Sequence, residues 1–175
     1  MQHLWRGLVG TVAMGLGFTG LGLLPLPEVT AIGYAAPLLT VILAAMFLGE
    51  QVRAFRLSAV VLGLVGVLIV LSPRLEAFSN SDLASRETLG ATVVLMGAGC
   101  AALTQVFIRK MVFTEKTSAI VFYFTVTSTL LSLLTIPFGW EMPGPREAML
   151  LILAGLFGGI GQILLTSSYR FADAS

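Results

Sequence analysis

Residues 27–73 read PEVTAIGYAAPLLTVILAAMFLGEQVRAFRLSAVVLGLVGVLIVLSP, and this stretch decides the fold. It contains two apolar runs, residues 30–48 and 57–71, with a short basic turn between them. A helix needs about 20 mostly apolar residues to cross ~30 Å of hydrocarbon, whereas a transmembrane strand needs about 10 that alternate polar with apolar. The two runs are long and do not alternate, so they predict two membrane-spanning helices.

The same pattern continues along the rest of the chain. Four more apolar runs, separated by charged or turn residues, cover residues 7–24, 89–108, 118–138 and 148–168. Together with the two runs above, they predict an all-α fold, a polytopic membrane helix bundle of six transmembrane helices. The longest polar stretch, residues 74–88, is predicted to form a loop on the outer face.

The composition excludes most other classes of protein. Of the 175 residues, 57% are hydrophobic and 11% are charged, whereas a soluble domain has about 25% charged residues. Ten basic and nine acidic residues leave a net charge of +1, which provides no electrostatic attraction to nucleic acid. The chain has one cysteine and one histidine, and it contains no catalytic or phosphate-binding motif. We therefore expect no metal, no cofactor and no enzymatic activity.

The positions of the basic residues indicate the orientation of the chain. Lys and Arg are commoner in cytoplasmic loops than in outer loops. If the first helix starts in the cytoplasm, three of the ten fall outside and seven fall inside; the seven are Arg6, Arg53, Arg56, Arg109, Lys110, Lys116 and Arg170. This asymmetry predicts that both chain ends lie in the cytoplasm.

Five features of residues 27–73 occur together. They are a small-residue link, a proline near the middle of an apolar helix, a Gly-Glu pair at its end, a basic turn, and a glycine-containing next helix. The residues are Ala31, Pro37, Gly49-Glu50, Arg53 with Arg56, and Gly63-Leu64-Val65-Gly66-Val67. This set resembles the second half of an EamA repeat, from the drug/metabolite transporter superfamily.

The resemblance implies a ten-helix bundle in which two inverted five-helix repeats surround a central substrate cavity. The six predicted helices would then be helices three to eight. Residues 1–73 would complete the first repeat, residues 74–88 would form the outer loop, and residues 89–175 would begin the second repeat. On this basis we expect the chain to be a fragment of a longer protein.

The candidate solute-binding residues are uncommon polar side chains inside the apolar runs. Gln105 and Gln162 are costly in hydrocarbon unless they face the bundle or water. Gln162, Thr166 and Tyr169 recur at i, i+4 and i+7, so they lie on one face of a helix. Tyr123 in the preceding run is a further candidate. Two roles remain open for these residues: hydrogen bonding between helices, or lining a substrate cavity.

Two other places along the chain could contribute to transport. Pro37 removes a backbone donor and should bend its helix, and Tyr34 lies three residues earlier on the same face. This site is either a structural bend or part of a cavity wall. Glu50 and Arg53 are predicted to pair at a helix end, either as an anchor at the membrane interface or as a gate that opens during transport.

The residues and the resemblance together predict an inner-membrane transporter that moves small polar or amphipathic metabolites by alternating access. The expected partners are a small metabolite and the lipid bilayer, and a homodimer is compatible with this function. Neutral or zwitterionic solutes fit best, since no charged residue lies in the middle of a predicted helix. The alternative is a non-transporting membrane scaffold or assembly subunit, which would need packing glycines but no polar stripe.

Overall fold

The protein is helical wherever its structure is described. The computed structural model describes residues 2–76 and 82–172, and these contain no β-strand. The α-helices are α1 (Gln2–Leu23), α2 (Leu26–Gly33), α3 (Ala35–Leu48), α4 (Ala54–Glu76), α5 (Asp82–Met111), α6 (Thr117–Leu133) and α7 (Pro145–Ser168). A 3₁₀ turn, Ile136–Phe138, follows α6. The predicted all-α fold is confirmed.

Six apolar helical segments occupy the places of the six predicted spans. Four are long and apolar enough to cross a membrane: Gln2–Leu23, Leu26–Leu48, Arg86–Met111 and Pro145–Ser168. Two shorter apolar helices are Ala54–Val70 and Thr117–Leu133. The chain is therefore a helical membrane bundle, as its apolar runs predict.

Several helices extend beyond their predicted ends. α1 begins at Gln2, so its first turns include residues that were predicted to precede the membrane. α4 continues through Glu76 and α5 begins at Asp82, so helix occupies part of the predicted loop at residues 74–88. The middle of that predicted loop, residues 77–81, lies outside the described residues.

α6, in contrast, ends earlier than predicted. The helix stops at Leu133 and gives way to the 3₁₀ turn, in which Pro137 has no N–H to donate. Gly139 then adopts a φ of 91°, a left-handed conformation that favours glycine. The indole Nε1 of Trp140 donates a hydrogen bond of 2.9 Å to the Thr135 hydroxyl. The chain therefore turns here through local backbone and side-chain bonds.

The second apolar segment contains a break close to Pro37. α2 ends at Gly33 and α3 begins at Ala35, with Tyr34 in a turn between them. Pro37 has no N–H to donate to the carbonyl of Gly33, four residues earlier, so the regular helical bonding cannot run through this position. The bend predicted from the proline is thus a short interruption between two helices.

The chain forms two compact units. The N-terminal unit comprises residues 9–76 and 82–106 of the described chain. In this unit α2 packs against α3 and α4, and α3 packs against α4. Its buried hydrophobic cluster consists of Leu24, Ile32, Ala35, Val67, Ala91, Val94 and Ala98. Small and branched side chains let the helices in this unit approach closely.

Glycines allow two of these close approaches. A Cβ atom at Gly20 of α1 would overlap Val94 of α5, and one at Gly97 of α5 would lie 3.2 Å from Leu16. Gly22, on the same helix as Gly20, has open space where its Cβ would be. The helix packing therefore requires a glycine at position 20, whereas position 22 has room for a side chain.

The C-terminal unit comprises residues 2–8 and 107–172. It contains the first turns of α1, the end of α5, and α6 packed against α7. A Cβ atom at Gly7 would lie 2.8 Å from the Thr127 side chain, so α1 and α6 also approach closely here. The largest fully buried side chains of this unit are Arg6, Ile108, Met111, Ile120 and Thr166. A cation and a hydroxyl group thus lie inside an otherwise apolar core.

The outward faces of the helices are apolar. Phe55 on α4 and Phe157 on α7 are 87% and 70% exposed, and the most apolar 18 residues of α7 include no buried residue. Water would make such continuous apolar surface an aggregation hazard. Lipid tails are as apolar as these side chains and can contact them directly.

We expect Gly20→Leu to destabilise the protein and Gly22→Leu to leave its stability nearly unchanged. A side chain at position 20 overlaps Val94, and overpacking costs about 1–3 kcal/mol. A side chain at position 22 enters open space. Thermal unfolding of the two purified variants in detergent micelles, followed by circular dichroism, measures the difference. Equal unfolding temperatures would contradict the close packing of α1 against α5.

Candidate functional site

Arg6 is the centre of a buried polar cluster in the C-terminal unit. The residue lies on the second turn of α1 and is only 1% exposed. Its Nη2 donates a hydrogen bond of 3.2 Å to the side-chain oxygen of Gln162 on α7. Its guanidinium carbon lies 3.6 Å from the ring centroid of Phe124 on α6. We call these three residues the Arg6 cluster, to which α1, α6 and α7 each contribute one side chain.

The positive charge of Arg6 is incompletely satisfied within this cluster. An arginine side chain stays protonated in proteins, and burying its charge costs several kcal/mol unless nearby groups compensate. The amide oxygen of Gln162 is a neutral acceptor, and the face of Phe124 offers a weak cation–π attraction. The Nε and Nη1 atoms of Arg6 are buried and have no hydrogen-bond partner among the described residues.

Gln162 and Thr166 lie on the side of α7 that faces the interior of the unit. Thr166, one turn after Gln162, is fully buried, and its hydroxyl has no hydrogen-bond partner in the described chain. Tyr169, at the C-terminal end of α7, is also buried, and its backbone carbonyl accepts a hydrogen bond from Arg109. The predicted polar stripe is therefore the inward side of an otherwise exposed helix.

A second group of polar side chains surrounds His3. The His3 Nε2 lies 3.6 Å from the Glu115 carboxylate, an ion pair only if the imidazole is protonated. The imidazole also lies 4.6 Å from the Tyr123 ring, measured between centroids. Arg170 donates a hydrogen bond of 2.9 Å to the backbone carbonyl of Glu115. Tyr123 is thus placed beside a charged network near the turn between α5 and α6.

The remaining hydroxyls of α6 mainly bond to their own helix. The four clear cases donate to backbone carbonyls three or four residues earlier, at 2.7–3.0 Å: Thr125, Thr127, Thr129 and Ser132. Such bonds satisfy a hydroxyl without any partner helix. These hydroxyls therefore do not add to the Arg6 cluster.

The C-terminal unit therefore brings together four of the predicted site residues: Tyr123, Gln162, Thr166 and Tyr169. The others belong to the N-terminal unit. Tyr34 is 65% exposed at the break between α2 and α3, and Pro37 is exposed on the first turn of α3.

Gln105 is half-buried on α5. Glu50 and Arg53 lie in the short segment between α3 and α4, just after Gly49, whose φ of 67° ends α3 in a left-handed conformation. The proposed pairing of Glu50 with Arg53, and the cavity roles of Tyr34, Pro37 and Gln105, stay predictions.

Arg6, Phe124 and His3 are site residues that the sequence analysis did not select. The first predicted apolar run covers residues 7–24, which places Arg6 in a cytoplasmic loop. Leu4 and Trp5, which precede Arg6, carry the apolar pattern further toward the N-terminus. That pattern could have placed the arginine inside the helix. Among the described residues, no three His, Cys, Asp or Glu side chains could together hold a metal ion.

Comparison with known proteins agrees with the helical architecture. Residues 1–72 match the EamA-like transporter family. The resemblance inferred from residues 27–73 is therefore confirmed by this match.

Curated relatives match almost the whole chain. An S-adenosylmethionine uptake transporter from Rickettsia bellii is 28% identical over 173 residues, covering 99% of this chain and 56% of that protein. The pseudopaline exporter CntI from Pseudomonas aeruginosa is 28% identical over 174 residues, covering 97% of this chain and 57% of that protein. The chain thus spans about half the length of the curated relatives that it matches. No solved structure matches it significantly.

We expect Arg6→Met to raise the stability of the protein and Gln162→Met to lower it. Replacing a poorly compensated buried charge with an apolar residue of similar size is often stabilising, by about 1–4 kcal/mol. Removing the Gln162 acceptor leaves Arg6 with one hydrogen bond fewer, which costs about 1–3 kcal/mol.

Thermal unfolding in detergent micelles measures both effects, with the exposed Arg146→Met as the control. A lower unfolding temperature for Arg6→Met than for the wild type would show that Arg6 stabilises the fold.

Proposed function

We propose that this protein is an inner-membrane transporter that moves small polar or amphipathic metabolites by alternating access. The main support is the Arg6 cluster, in which a buried guanidinium contacts a half-buried amide and an aromatic ring between helices whose outer faces are apolar. The EamA-like match over residues 1–72 and the relatives named as transporters agree with this function.

The Arg6 cluster favours transport over a purely structural role in the membrane. A scaffold subunit needs helices that pack closely, which Gly7, Gly20 and Gly97 already provide. A scaffold function does not require a buried guanidinium whose hydrogen-bond donors are unused. Ionisable residues inside membrane helices are expensive, and they commonly line the route of a solute or ion. The relatives named as transporters support a non-enzymatic function as well.

The named solutes of the relatives define the first compounds to test. One relative is named for uptake of S-adenosylmethionine and another for export of pseudopaline. Because these names describe opposite directions, the direction of transport for this chain requires a direct measurement. We propose that the solute of this chain is likewise a small polar metabolite.

Several predicted residues receive roles in this proposal. Gln105, Tyr123, Gln162, Thr166 and Tyr169 would line the solute route. Breaks in membrane helices commonly occur beside substrate sites, so the interruption near Tyr34 and Pro37 would form a cavity wall or hinge. Glu50 and Arg53 would form a gate at the end of α3. Residues 1–73 would complete the first repeat, and residues 89–175 would begin the second.

We expect a cysteine at Gln162 to react with a charged, water-soluble thiol reagent in intact membranes, and a cysteine at Leu164 to stay unmodified. Both residues are on α7, but Gln162 faces Arg6 whereas Leu164 is 66% exposed on the apolar side. Cys100 is the natural cysteine and is first replaced by alanine. Mass spectrometry of the labelled protein gives the result. Equal inertness of the two variants would contradict a solute route past Gln162.

We expect both chain ends to be cytoplasmic. Alkaline phosphatase, which is active only outside the cytoplasm, should be inactive when fused after Thr114 and active when fused after Met142. Thr114 lies between α5 and α6, near Arg109, Lys110 and Lys116, whereas Met142 lies between α6 and α7. Basic loops stay in the cytoplasm. The opposite pattern of activity would invert the proposed orientation.

A further inference from the structure

The Arg6 guanidinium is a buried cation that uses only part of its capacity to donate hydrogen bonds. Its single hydrogen bond runs from Nη2 to Gln162. The Nε and Nη1 atoms are buried and have no partner among residues 2–76 and 82–172. The hydroxyl of Thr166, one turn from Gln162 on the same face of α7, is buried and lacks a partner there too. Several unused polar groups therefore lie in one small region.

No carboxylate in the described chain neutralises this cation. In the described chain, the Arg6 guanidinium donates a hydrogen bond to the neutral amide oxygen of Gln162 and lies against the ring of Phe124. Glu115, at the turn between α5 and α6, lies beside His3 instead, at 3.6 Å. A buried charge of this kind is tolerated at a functional site when an anion binds there.

We propose that Arg6 binds the carboxylate of the transported metabolite, an inference that rests on the transport function proposed above. A guanidinium presents its donors in a planar arrangement that matches carboxylate oxygens, and such charged hydrogen bonds are about twice as strong as neutral ones. The Phe124 ring holds the plane of the guanidinium from one side. Gln162 is a neutral partner that a carboxylate oxygen can replace, and Thr166 offers a further donor on the same helix face.

This assignment narrows the class of solute. The sequence favoured neutral or zwitterionic solutes because it placed no charge inside the helices. With Arg6 buried in the C-terminal unit, the solute must carry a carboxylate, as an amino-acid derivative does. A phosphate oxygen has similar hydrogen-bonding chemistry, and it could come from a lipid headgroup. The experiment must therefore distinguish a metabolite from a lipid.

The deciding substitution is Gln162→Glu. It places a carboxylate where the amide oxygen now lies, 3.2 Å from the Arg6 Nη2. The new carboxylate should pair with Arg6 and compete with the carboxylate of the metabolite. We therefore expect the purified variant to unfold at a higher temperature than the wild type, yet to transport at least about tenfold more slowly. If Arg6 only stabilises the fold, Gln162→Glu should raise the unfolding temperature without slowing transport.

Transport is measured in a strain that lacks the gene and is complemented with each variant. Mass spectrometry compares the metabolites of cells and medium for the wild type, Gln162→Glu, Arg6→Gln and the exposed control Arg146→Gln, with protein amounts matched by immunoblot. We expect carboxylate-bearing metabolites to change on deletion, and to be restored by the wild type and by Arg146→Gln. Gln162→Glu and Arg6→Gln should fail to restore them.

Each other outcome has a definite meaning. Restoration by Gln162→Glu, or a set of affected metabolites without carboxylates, overturns the role of Arg6 while the proposed transport function stands. No metabolite change on deletion overturns the transport function itself. Anionic phospholipid that copurifies with the wild type and is lost from Gln162→Glu, with transport intact, assigns Arg6 to a lipid and overturns the inference.

Discussion

The structure depends on the need to pair every backbone polar group where no water is available. In hydrocarbon an unpaired N–H or C=O costs several kcal/mol, so segments that cross it as single chains become helices. The side chains follow the same rule, since Thr125 and Thr129 donate to carbonyls of their own helix. Where Pro37 removes a donor, α2 ends and α3 begins almost at once.

Arg6 is the place where this pairing is incomplete. The residue lies in a helix that is apolar enough to cross a membrane, and its side chain is almost fully buried. Gln162 and Phe124 compensate for only part of its charge. The helices around it satisfy their polar groups locally and present apolar side chains outward. The unused donors of Arg6 and Thr166 therefore mark the region that we propose for binding of the solute.

The sequence predicted the helical fold well because hydrophobic length is a property of the chain itself. Each of the six apolar runs corresponds to an apolar helical segment, and the spacing of Gln162 and Thr166 correctly placed them on one inward face. Helix ends were predicted less well. The first apolar run was predicted to begin at residue 7, after the charged Arg6. The helix instead begins at Gln2 and includes Leu4, Trp5 and Arg6.

The sequence by itself determined the number of apolar helices, the polar stripe on α7 and the resemblance to EamA proteins. These follow from the length and periodicity of apolar residues and from local motifs. Only the tertiary structure decided that Arg6 and Gln162, which are far apart in the sequence, form a hydrogen bond, that Phe124 covers the guanidinium, and that Gly20 is a packing residue whereas Gly22 is not. Periodicity gives the face of one helix, but which side chain lies opposite depends on how separate helices pack.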